Sequence, residues 1–562
     1  METIYIVGII FLIVSLLYGD IFVKEKFGFK CNRFASTSSL NPSNQRDGLK
    51  WSTTRTLKRE YPQSKEKDEE NTSFLVGFFR YSPTMKKCKI PFWYRKYQES
   101  TGVYLTREKL ITSTLLYGGM KSSKTIFFLN MLENVHAYDN AIVHDGTKLE
   151  MLAKSYNPMR DIIQNFYDDR ATLHNILNEE TAIQTYYFNE MLKSTAGKND
   201  GGGFFTTGAA EHIQSIALLT NKQNFTTTKE KWAYFTLKLE NLVVDSINDG
   251  QKSEMDVVGT LKQIMTPFLF INFRIQDNAE TFVINEFLDR SRGAKLFVSY
   301  PAKLKSKMQG LSAAFISMYT MVHLSRPDTT NKLYLYLIDE LSSYLRVMGD
   351  DTETLKDQTE LLRAKGGGFI GGLQGKDEDE NISKVLDKTM TQKVFFRTDG
   401  ADTKDLLKVA VGKRTYSYDK YTMNTDKKII SRATSFIAEE VEKEVIQESD
   451  FSELGDKYEY VAKFGDNLFR GYIPIPQAEQ IRIDKEKKII SKYKKLKRKD
   501  KSATLLKKED DEIAATYKNI PYIKYSKMKQ FEDYLAERYE NYQIKRKESN
   551  ISNDIAKKAL AS

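Results

Sequence analysis

The sequence predicts an α/β fold with a central, mostly parallel sheet, and two observations support this prediction. Apolar runs of strand length alternate with helical patterns over most of the chain, as in sheets whose parallel strands are joined by crossover helices. One run, residues 333–338, is apolar at every position, which is typical of a strand buried on both faces of a parallel sheet. A chain of 562 residues can form about two to four compact units.

An uncharged apolar segment opens the sequence. It runs from residue 4 to residue 18 and stays largely apolar to Val23, and about twenty such residues can cross a bilayer core. No basic region precedes it, as a signal peptide would require, whereas basic residues follow it at Lys24, Lys26, Lys30 and Arg33. The positive-inside bias therefore predicts a single-pass anchor with its N-terminus outside and the bulk of the chain cytoplasmic. The alternative is a buried core helix.

The next segment, residues 35–73, is rich in Ser, Thr, Asn, Lys and Glu, and this composition predicts a polar linker. The only cysteines are Cys31 and Cys88, and no Cys/His cluster occurs. We therefore expect neither a disulfide framework nor a structural zinc, as suits a reducing compartment.

Residues 114–125 have the pattern of a phosphate-binding loop. A short apolar strand leads to two glycines, and Lys124 and Thr125 follow at Walker A spacing. In such a loop, backbone N–H groups surround the phosphates, the lysine reaches the β- and γ-phosphates, and the hydroxyl ligates Mg²⁺. The alternative is a helix start with an incidental lysine. The predicted nucleotide-binding residues are Gly118, Gly119, Met120, Lys121, Ser122, Ser123, Lys124 and Thr125.

Ser123 occupies the position of the second glycine of this motif. Glycine permits backbone angles that cost other residues on the order of 1–3 kcal/mol. We therefore expect nucleotide binding to be better supported than hydrolysis.

Two further predicted strands end in polar residues. Residues 140–144 lead to the polar segment 145–150, and residues 333–338 lead to Asp339 and Glu340. Ligands of open α/β sheets bind at the carboxyl ends of the strands. We predict that Asp339, with Thr125, holds the metal and that Glu340 polarises the attacking water as a general base.

A glycine-rich turn at residues 365–368 follows a helical pattern and precedes another apolar strand, which ends at Gln374. This glutamine can sense the γ-phosphate or orient water. Sheet character also occurs at Phe282, at residues 294–299 and at residues 392–397. Residues 168–270, in contrast, are mostly helical in pattern, which predicts an inserted all-α domain.

The C-terminal end of the chain is basic. Residues 481–562 hold 23 Lys and Arg against 13 Asp and Glu, so this region accounts for most of the net charge of +11. Such a tail favours phosphate backbones or anionic lipids. The alternative is a solvated helical tail with no dedicated partner.

Taken in order, these motifs resemble the type IV secretion coupling proteins, the TraD/TraG/TrwB group of the FtsK/HerA-like translocases. The resemblance runs from about residue 74 to residue 475. It is carried by LLYGGMKSSKT, AIVHDGTKLEMLAKSYNPMRDIIQNFYDD, AKLFVSYPAKLKSKMQGLSAAFISMY, LYLYLIDELSSYL, LLRAKGGGFIGGLQG and VFFRTDGADTKDLL.

The resemblance implies a RecA-like P-loop motor domain that assembles as a homo-hexamer at the bacterial inner membrane. Its implied cofactors are ATP and Mg²⁺, and its implied partners are DNA, single-stranded or relaxase-linked, and secretion-channel components. Arg363 matches an arginine that is proposed to reach the neighbouring subunit's nucleotide, beside the catalytic roles predicted for Glu340 and Gln374. The predicted segments are an anchor (1–34), a linker (35–73), an N-terminal motor-domain segment (74–167), the all-α insertion (168–270), a C-terminal motor-domain segment (271–475) and a basic tail (476–562).

Three functions are compatible with these features. The first is a DNA translocase that recruits substrates to a secretion or conjugation channel. The second is a DNA pump of the same superfamily unrelated to secretion, although nothing after residue 475 resembles the DNA-reading domain of such pumps. The third is a catalytically weak docking receptor, which only Ser123 favours.

Overall fold

The computed structural model describes a subset of the residues of the chain, and the statements below concern that subset. It comprises residues 45–47, 50–51, 54–61, 73–79, 102–119, 123–135, 139–196, 203–249, 265–290, 293–329, 332–341, 360–373, 390–397, 412–423, 434–444, 454, 458–473, 521–538 and 540.

The described elements are numbered in chain order. The strands are β1 (Gln45–Asp47), β2 (Lys50–Trp51), β3 (Ser73–Phe79), β4 (Gly102–Thr106), β5 (Thr114–Tyr117), β6 (Asn140–His144), β7 (Ile162–Ile163), β8 (Leu173–His174), β9 (Thr281–Phe282), β10 (Lys295–Phe297), β11 (Tyr334–Ile338), β12 (Gly367–Leu373), β13 (Gln392–Phe396), β14 (Lys413–Met423), β15 (Thr434–Glu444), β16 (Glu459–Phe464) and β17 (Asn467–Tyr472). The helices are α1 (Thr54–Glu60), α2 (Arg107–Leu110), α3 (Lys124–Glu133), α4 (Glu150–Ser155), α5 (Thr181–Ala196), α6 (Gly203–Lys222), α7 (Thr228–Asp249), α8 (265–276), α9 (Ile284–Asp289), α10 (Lys305–Leu324) and α11 (528–538).

The chain forms two compact units. The first comprises residues 1–134 and 372–479. In its sheet, β5 pairs with β13 in parallel, whereas β13, β16, β17, β3 and β4 follow one another in antiparallel pairs. Every residue of β5 is buried, as are Phe127, Phe128 and Leu132 of the helix α3 that follows it. This burial holds the turn between β5 and α3 in place. A separate antiparallel group contains β1, β14 and β15.

The second unit comprises residues 135–371 and 480–562. Its sheet has the order β12, β11, β6, β10, β7, and all four pairs are parallel. At the carboxyl ends of the strands, Ile338 lies opposite His144 and Gly371. Since β11 and β6 are buried along their whole length, the polar residues that follow them emerge at the same edge of this sheet.

The helical region of the second unit contains α5, α6, α7 and α8. An aromatic cluster joins α5, α7 and α8, with the ring centroid of Phe268 6.0 Å from that of Phe188 and 5.6 Å from that of Phe235. Trp232 is fully buried, and its indole N–H donates to Asn175 Oδ1 at 2.9 Å. Helices α5, α6 and α7 lie within residues 168–270, where we predicted an all-α insertion, and α8 extends beyond that range to residue 276. The helices belong to the same compact unit as β6, so a separate insertion domain stays a prediction.

The α/β fold class and the main strands of the sequence prediction are confirmed. The observed strands begin and end within one or two residues of the predicted ones at 114–117, 140–144, 333–338 and 392–397. Apolar runs bounded by glycine or carboxylate residues define these strands well, because burial of both faces requires apolar side chains throughout.

The N-terminal region differs partly from the expectation. The predicted anchor, residues 1–34, lies outside the described residues, and none of the helices that are described is long and apolar enough to span a bilayer. Within the predicted linker, α1 buries Leu57 and Tyr61, and the Tyr61 hydroxyl donates to the carbonyl oxygen of Phe464 at 2.8 Å. Their i, i+4 spacing puts both side chains on one face of the helix, which packs onto the first unit.

Candidate nucleotide-binding site

The phosphate-binding loop predicted from the sequence joins β5 to α3 in the first unit. Helix α3 begins at Lys124 and Thr125 lies half-buried in its first turn. A threonine at this place offers its hydroxyl to a hard cation. Met120, Lys121 and Ser122 lie outside the described residues, so their predicted role stays a prediction.

Ser123 precedes the helix with φ −74° and ψ 21°. These angles lie outside the left-handed region, which is the region where glycine is favoured. The backbone strain that we expected from the loss of glycine is therefore absent at this position. Ser123 is buried, and its carbonyl oxygen accepts the N–H of Phe127 at 3.0 Å, as the first hydrogen bond of the helix.

The Lys124 side chain is buried, with 3% of its surface exposed. Its ammonium group donates to the carbonyl oxygen of Gly118 and, at 2.9 Å, to that of Leu373 at the end of β12. The N–H of Gly118 donates to the same Leu373 oxygen at 3.2 Å. A buried ammonium is stable only where hydrogen-bond acceptors surround it. The lysine is thus held at the strand–helix turn, where a phosphate group would find it.

The predicted acidic pair lies in the second unit, directly after β11. Asp339 is buried, with 1% of its surface exposed, and its N–H donates to the carbonyl oxygen of His144 at 2.8 Å. Glu340 has φ 60°, a left-handed conformation that non-glycine residues adopt rarely. Strain of this kind costs on the order of 1–3 kcal/mol and is found mostly at functional sites. The conformation at Glu340 therefore supports a functional role for this residue.

Lys148 is the cation beside this pair. Its ammonium group lies 2.6 Å from Asp339 Oδ2 and 3.7 Å from Glu340 Oε1. Burial acts to lower the pKa of Lys148, but the nearby Asp339 and Glu340 carboxylates outweigh it and raise the pKa above its ordinary value. Lys148 is therefore charged at neutral pH and partly neutralises the acidic pair.

Asp145, at the end of β6, is a third carboxyl group in this cluster. It is buried, and its Oδ2 accepts the N–H of Met151 at 2.8 Å. Burial, together with the charge of Asp339, raises its pKa to about 6, against the lowering effect of hydrogen bonds that include one from Ser299. Burial lowers the pKa of the neighbouring His144, so its imidazole is neutral at pH 7. The cluster thus holds more negative than positive charge.

The glycine-rich turn precedes β12 in the second unit. Gly366 has φ 75°, and a Cβ atom there would clash with the backbone oxygen of Lys332. At Gly371, a Cβ atom would lie 2.5 Å from Leu341 Cδ2, so the glycine lets the residue after the acidic pair pack against β12. Arg363 is exposed, and Gln374 lies outside the described residues.

Lys148 and Asp145 were not predicted as site residues from the sequence. Both lie in the polar segment that follows β6, and the signal was the position of that segment at a strand's carboxyl end. Their contacts depend on the conformation of the turn, since Leu149 has φ 56° and Gly146 has φ 55°. Apolar periodicity carries no information about such a turn.

Among the residues that the structure describes, no group of three or more His, Cys, Asp and Glu side chains could hold a metal ion. Mg²⁺ at nucleotide sites usually has only one or two protein ligands, the others being water and phosphate oxygens. The oxygen atoms of Thr125 and Asp339 are of the kind that Mg²⁺ requires. Each of these two residues, taken by itself, is therefore of a type that fits magnesium at a nucleotide site.

A family model matches most of the chain. The model of the type IV secretion-system coupling protein DNA-binding domain matches residues 99–473, which is more than half of the chain. The chain belongs to this family. The resemblance noted in the sequence is thereby confirmed.

Solved structures of a family member have the same fold. The unbound monoclinic form of the bacterial conjugative coupling protein TrwBdeltaN70 matches with a TM-score of 0.53 and 16% identity, covering 77% of this chain and 94% of that chain. The plasmid coupling protein TrwB in complex with ADP and Mg²⁺ matches with a TM-score of 0.50 and 17% identity, covering 72% and 95%. At these identities the likeness concerns the fold alone. The sequence matches none of the curated proteins with which it was compared.

Proposed function

We propose that this coupling-protein family member binds and hydrolyses ATP with Mg²⁺ and uses the energy to drive DNA, with any attached protein, into a type IV secretion channel. The family supports the coupling role, and the TrwB complex with ADP and Mg²⁺ supports the choice of nucleotide and metal.

The observation that carries the proposal is the placement of Lys124. Burying a lysine ammonium group at the N-terminus of a helix costs free energy unless hydrogen-bond acceptors or an opposite charge lie beside it. Here the ammonium group donates to the backbone oxygens of Gly118 and Leu373. Carbonyl oxygens carry no formal charge, whereas phosphate oxygens do. A phosphate oxygen is therefore a stronger acceptor for this ammonium group than either of these two carbonyl oxygens.

Residues of the chain bind the phosphates, provide oxygen ligands for the metal and activate the attacking water. When bound, ATP supplies the phosphoryl group and Mg²⁺ neutralises charge on its phosphates. Lys124 binds phosphate oxygens, and Thr125 and Asp339 provide the protein oxygens for the metal. Glu340 accepts a proton from water as that water attacks, and Gln374 orients the same water.

We further propose that the active form is a homo-hexamer anchored by residues 1–34 in the bacterial inner membrane. Arg363 is exposed, and its side chain makes no ion pair with any residue that the structure describes. An exposed arginine of this kind can stabilise the transition-state charge on a neighbouring subunit's nucleotide. The DNA partner, single-stranded or relaxase-linked, and the channel partner rest on the family alone.

The test is ATP hydrolysis by the detergent-solubilised full chain, with and without single-stranded DNA. The variants Lys124→Ala and Glu340→Gln are compared with the native chain, and binding of a fluorescent ATP analogue is measured in parallel. Glu340→Gln is expected to retain the analogue and to lose about 10²–10⁴ in kcat, because only the general base is removed. Lys124→Ala is expected to lose both binding and turnover.

Ser123→Gly and Lys154→Met serve as comparison variants. Since Ser123 has a negative φ, the glycine variant is expected to stay within about threefold of the native kcat. Lys154 pairs with Glu150 of its own helix α4 and takes no part in the proposed chemistry, so its loss should leave turnover unchanged. A native chain that binds the analogue but turns over ATP no faster than Glu340→Gln, with or without DNA, would instead be a docking receptor.

A further inference from the structure

The C-terminal segment, residues 521–538, lies on the surface of the second unit and is held there by two buried side chains. Tyr525 and Phe531 are 4% and 2% exposed. Most of the remaining residues of the segment are exposed or half-buried. Two deep anchors in an otherwise exposed segment are typical of a peptide bound in a groove. An integral core helix would bury a continuous face.

The first anchor, Tyr525, enters a pocket lined by α8. The Arg274 guanidinium carbon lies 4.3 Å from the centroid of the Tyr525 ring, and the Phe270 ring meets it edge-on at 5.7 Å. The Tyr525 hydroxyl donates to Asp277 Oδ2 at 2.6 Å. Burial raises the pKa of Tyr525, so the hydroxyl stays protonated and able to donate. The pocket thus selects an aromatic residue with a polar end.

The backbone around this anchor pairs with the loop after β7. The Tyr525 N–H donates to the carbonyl oxygen of Tyr167 at 3.0 Å, and the Asp169 N–H donates to that of Ile523 at 2.8 Å. Main-chain bonds of this kind hold an extended peptide irrespective of its side chains. They fix the register in which Tyr525 meets its pocket.

The second anchor, Phe531, lies on the aromatic face of α8. Its ring centroid is 4.4 Å from that of Phe270 and 5.5 Å from that of Phe273. Tyr534, one helical turn later, lies 5.6 Å from Phe273. Residues three apart share one face of a helix, so α11 presents an aromatic face to α8.

Charges of opposite sign flank the two anchors. Lys527 pairs with Asp277 before α11 begins, and Arg538, among the last described residues of α11, pairs with Glu240 of α7. Glu240 is almost completely buried. The surface therefore matches a short helix with aromatic anchors and a cation at each end.

We propose that the loop 166–170, α8, Asp277 and Glu240 form a docking groove, and that the C-terminal segment is its exchangeable occupant. The groove then accepts the segment from another copy of the chain as well as from its own. Residues 474–520 separate the described residues that follow β17 from the segment in the sequence, and a chain of this length can reach at most about 160 Å. An exchange of segments would link neighbouring copies without involving the nucleotide.

A synthetic, fluorescently labelled peptide of residues 519–541 tests the proposal. In the full chain carrying Tyr525→Ala and Phe531→Ala, the native occupant loses its anchors and the groove is open. The peptide is expected to bind this variant, by fluorescence anisotropy, and to bind the native chain more weakly because its groove is filled. The same peptide with both anchors changed to alanine is the control, and it should bind roughly 30-fold or more weakly.

Disulfide trapping between copies provides a second measurement, in chains that keep both anchors. Ser526 Oγ lies 3.2 Å from Asp169 Oδ1, and both residues are exposed. Copies carrying Asp169→Cys are mixed with copies carrying Ser526→Cys, with Cys31 and Cys88 replaced by serine. A chain carrying both new cysteines is the positive control.

A covalent link between different copies, or peptide binding by the open variant, supports exchange. If the folded open variant binds no peptide and only the doubly substituted chain forms a disulfide, the segment is a permanent component of its own fold and the proposal is wrong. Because neither measurement uses ATP, the result does not depend on the proposed hydrolysis.

Discussion

The ammonium group of Lys148 lies 2.6 Å from Asp339 Oδ2, in the second unit and close to Glu340. The lysine comes from the turn after β6 and the aspartate from the end of β11, and these strands are parallel neighbours. Left-handed backbone conformations, which are unfavourable for residues other than glycine, occur on both sides of the contact, at Leu149 and Glu340. The ion pair thus joins two strained turns at the edge where we expect the metal.

We predict that Lys148→Met destabilises the metal-free protein. Asp339 would be left buried without its cation, and removing one partner of a buried pair costs about 3–5 kcal/mol. Lys148 itself is 34% exposed, so solvent screening should reduce this to about 1–3 kcal/mol. The measurement is the thermal unfolding midpoint in EDTA and in Mg²⁺, and Mg²⁺ should raise the midpoint of the variant more than that of the native chain.

Lys154→Met is the matched control, because it removes a lysine of the same region that pairs with Glu150 of its own helix. A surface i, i+4 pair contributes about 0.3–0.5 kcal/mol, so this variant should unfold close to the native midpoint. Equal midpoints for both variants would show that Asp339 does not need the lysine.

The sequence predicts the strands better than the turns. The burial of β5, β6 and β11 follows from unbroken apolar runs, and the carboxylates after β11 mark the strand's end. The contact between Lys148 and Asp339 could not be predicted, because it depends on left-handed residues in a short polar turn. The docking of Tyr525 was also missed, since isolated aromatic residues in a charged tail form no periodic pattern.

Asp145 is expected to make stability depend on pH. Its pKa rises from an ordinary 3.8 to about 6 in the folded chain, so the folded state holds this proton more tightly than the unfolded state. The proton on Asp145 therefore adds to the free energy of unfolding. This added stability is present in full below about pH 4 and is lost as the pH rises through about 6. It amounts to on the order of 3 kcal/mol in total. Asp145→Asn cannot ionise and should lack this loss.

Unfolding midpoints of the native chain and of Asp145→Asn, measured from pH 4 to pH 8, check this prediction. The midpoint of the native chain should fall relative to that of the variant as the pH rises. Asp533→Asn, on the exposed side of α11, should parallel the native curve. Parallel curves for Asp145→Asn as well would mean that Asp145 titrates normally.

Gly366 and Gly412 provide a matched pair for the glycine-rich turn. Their φ values are 75° and 77°, but a Cβ atom at Gly366 would clash with the Lys332 backbone, whereas nothing lies within 4 Å at Gly412. Gly412→Ala should therefore cost only the conformational strain, about 1–2 kcal/mol. Gly366→Ala should cost more, because the start of β12 must also shift. The measurement is the unfolding midpoint of each variant, which should decrease more for Gly366→Ala than for Gly412→Ala. An equal decrease would contradict the steric argument.

Arg363 allows a test of the proposed subunit arrangement. We expect Arg363→Ala to reduce DNA-stimulated turnover by about 10³–10⁵-fold while ATP-analogue binding is retained. An arginine supplied by a neighbouring subunit stabilises the transition state rather than the bound nucleotide. Arg290→Ala, at another exposed arginine, should leave turnover unchanged.

Mixing distinguishes an arginine that acts on a neighbouring subunit from one that acts on its own nucleotide. A copy carrying Arg363→Ala retains an unchanged Glu340, and a copy carrying Glu340→Gln retains an unchanged Arg363. If Arg363 serves the neighbour, mixed assemblies contain interfaces at which both residues are intact, and turnover should rise well above that of either variant alone. If it acts within its own subunit, every site in the mixture lacks one of the two groups, and turnover should remain at the level of the separate variants.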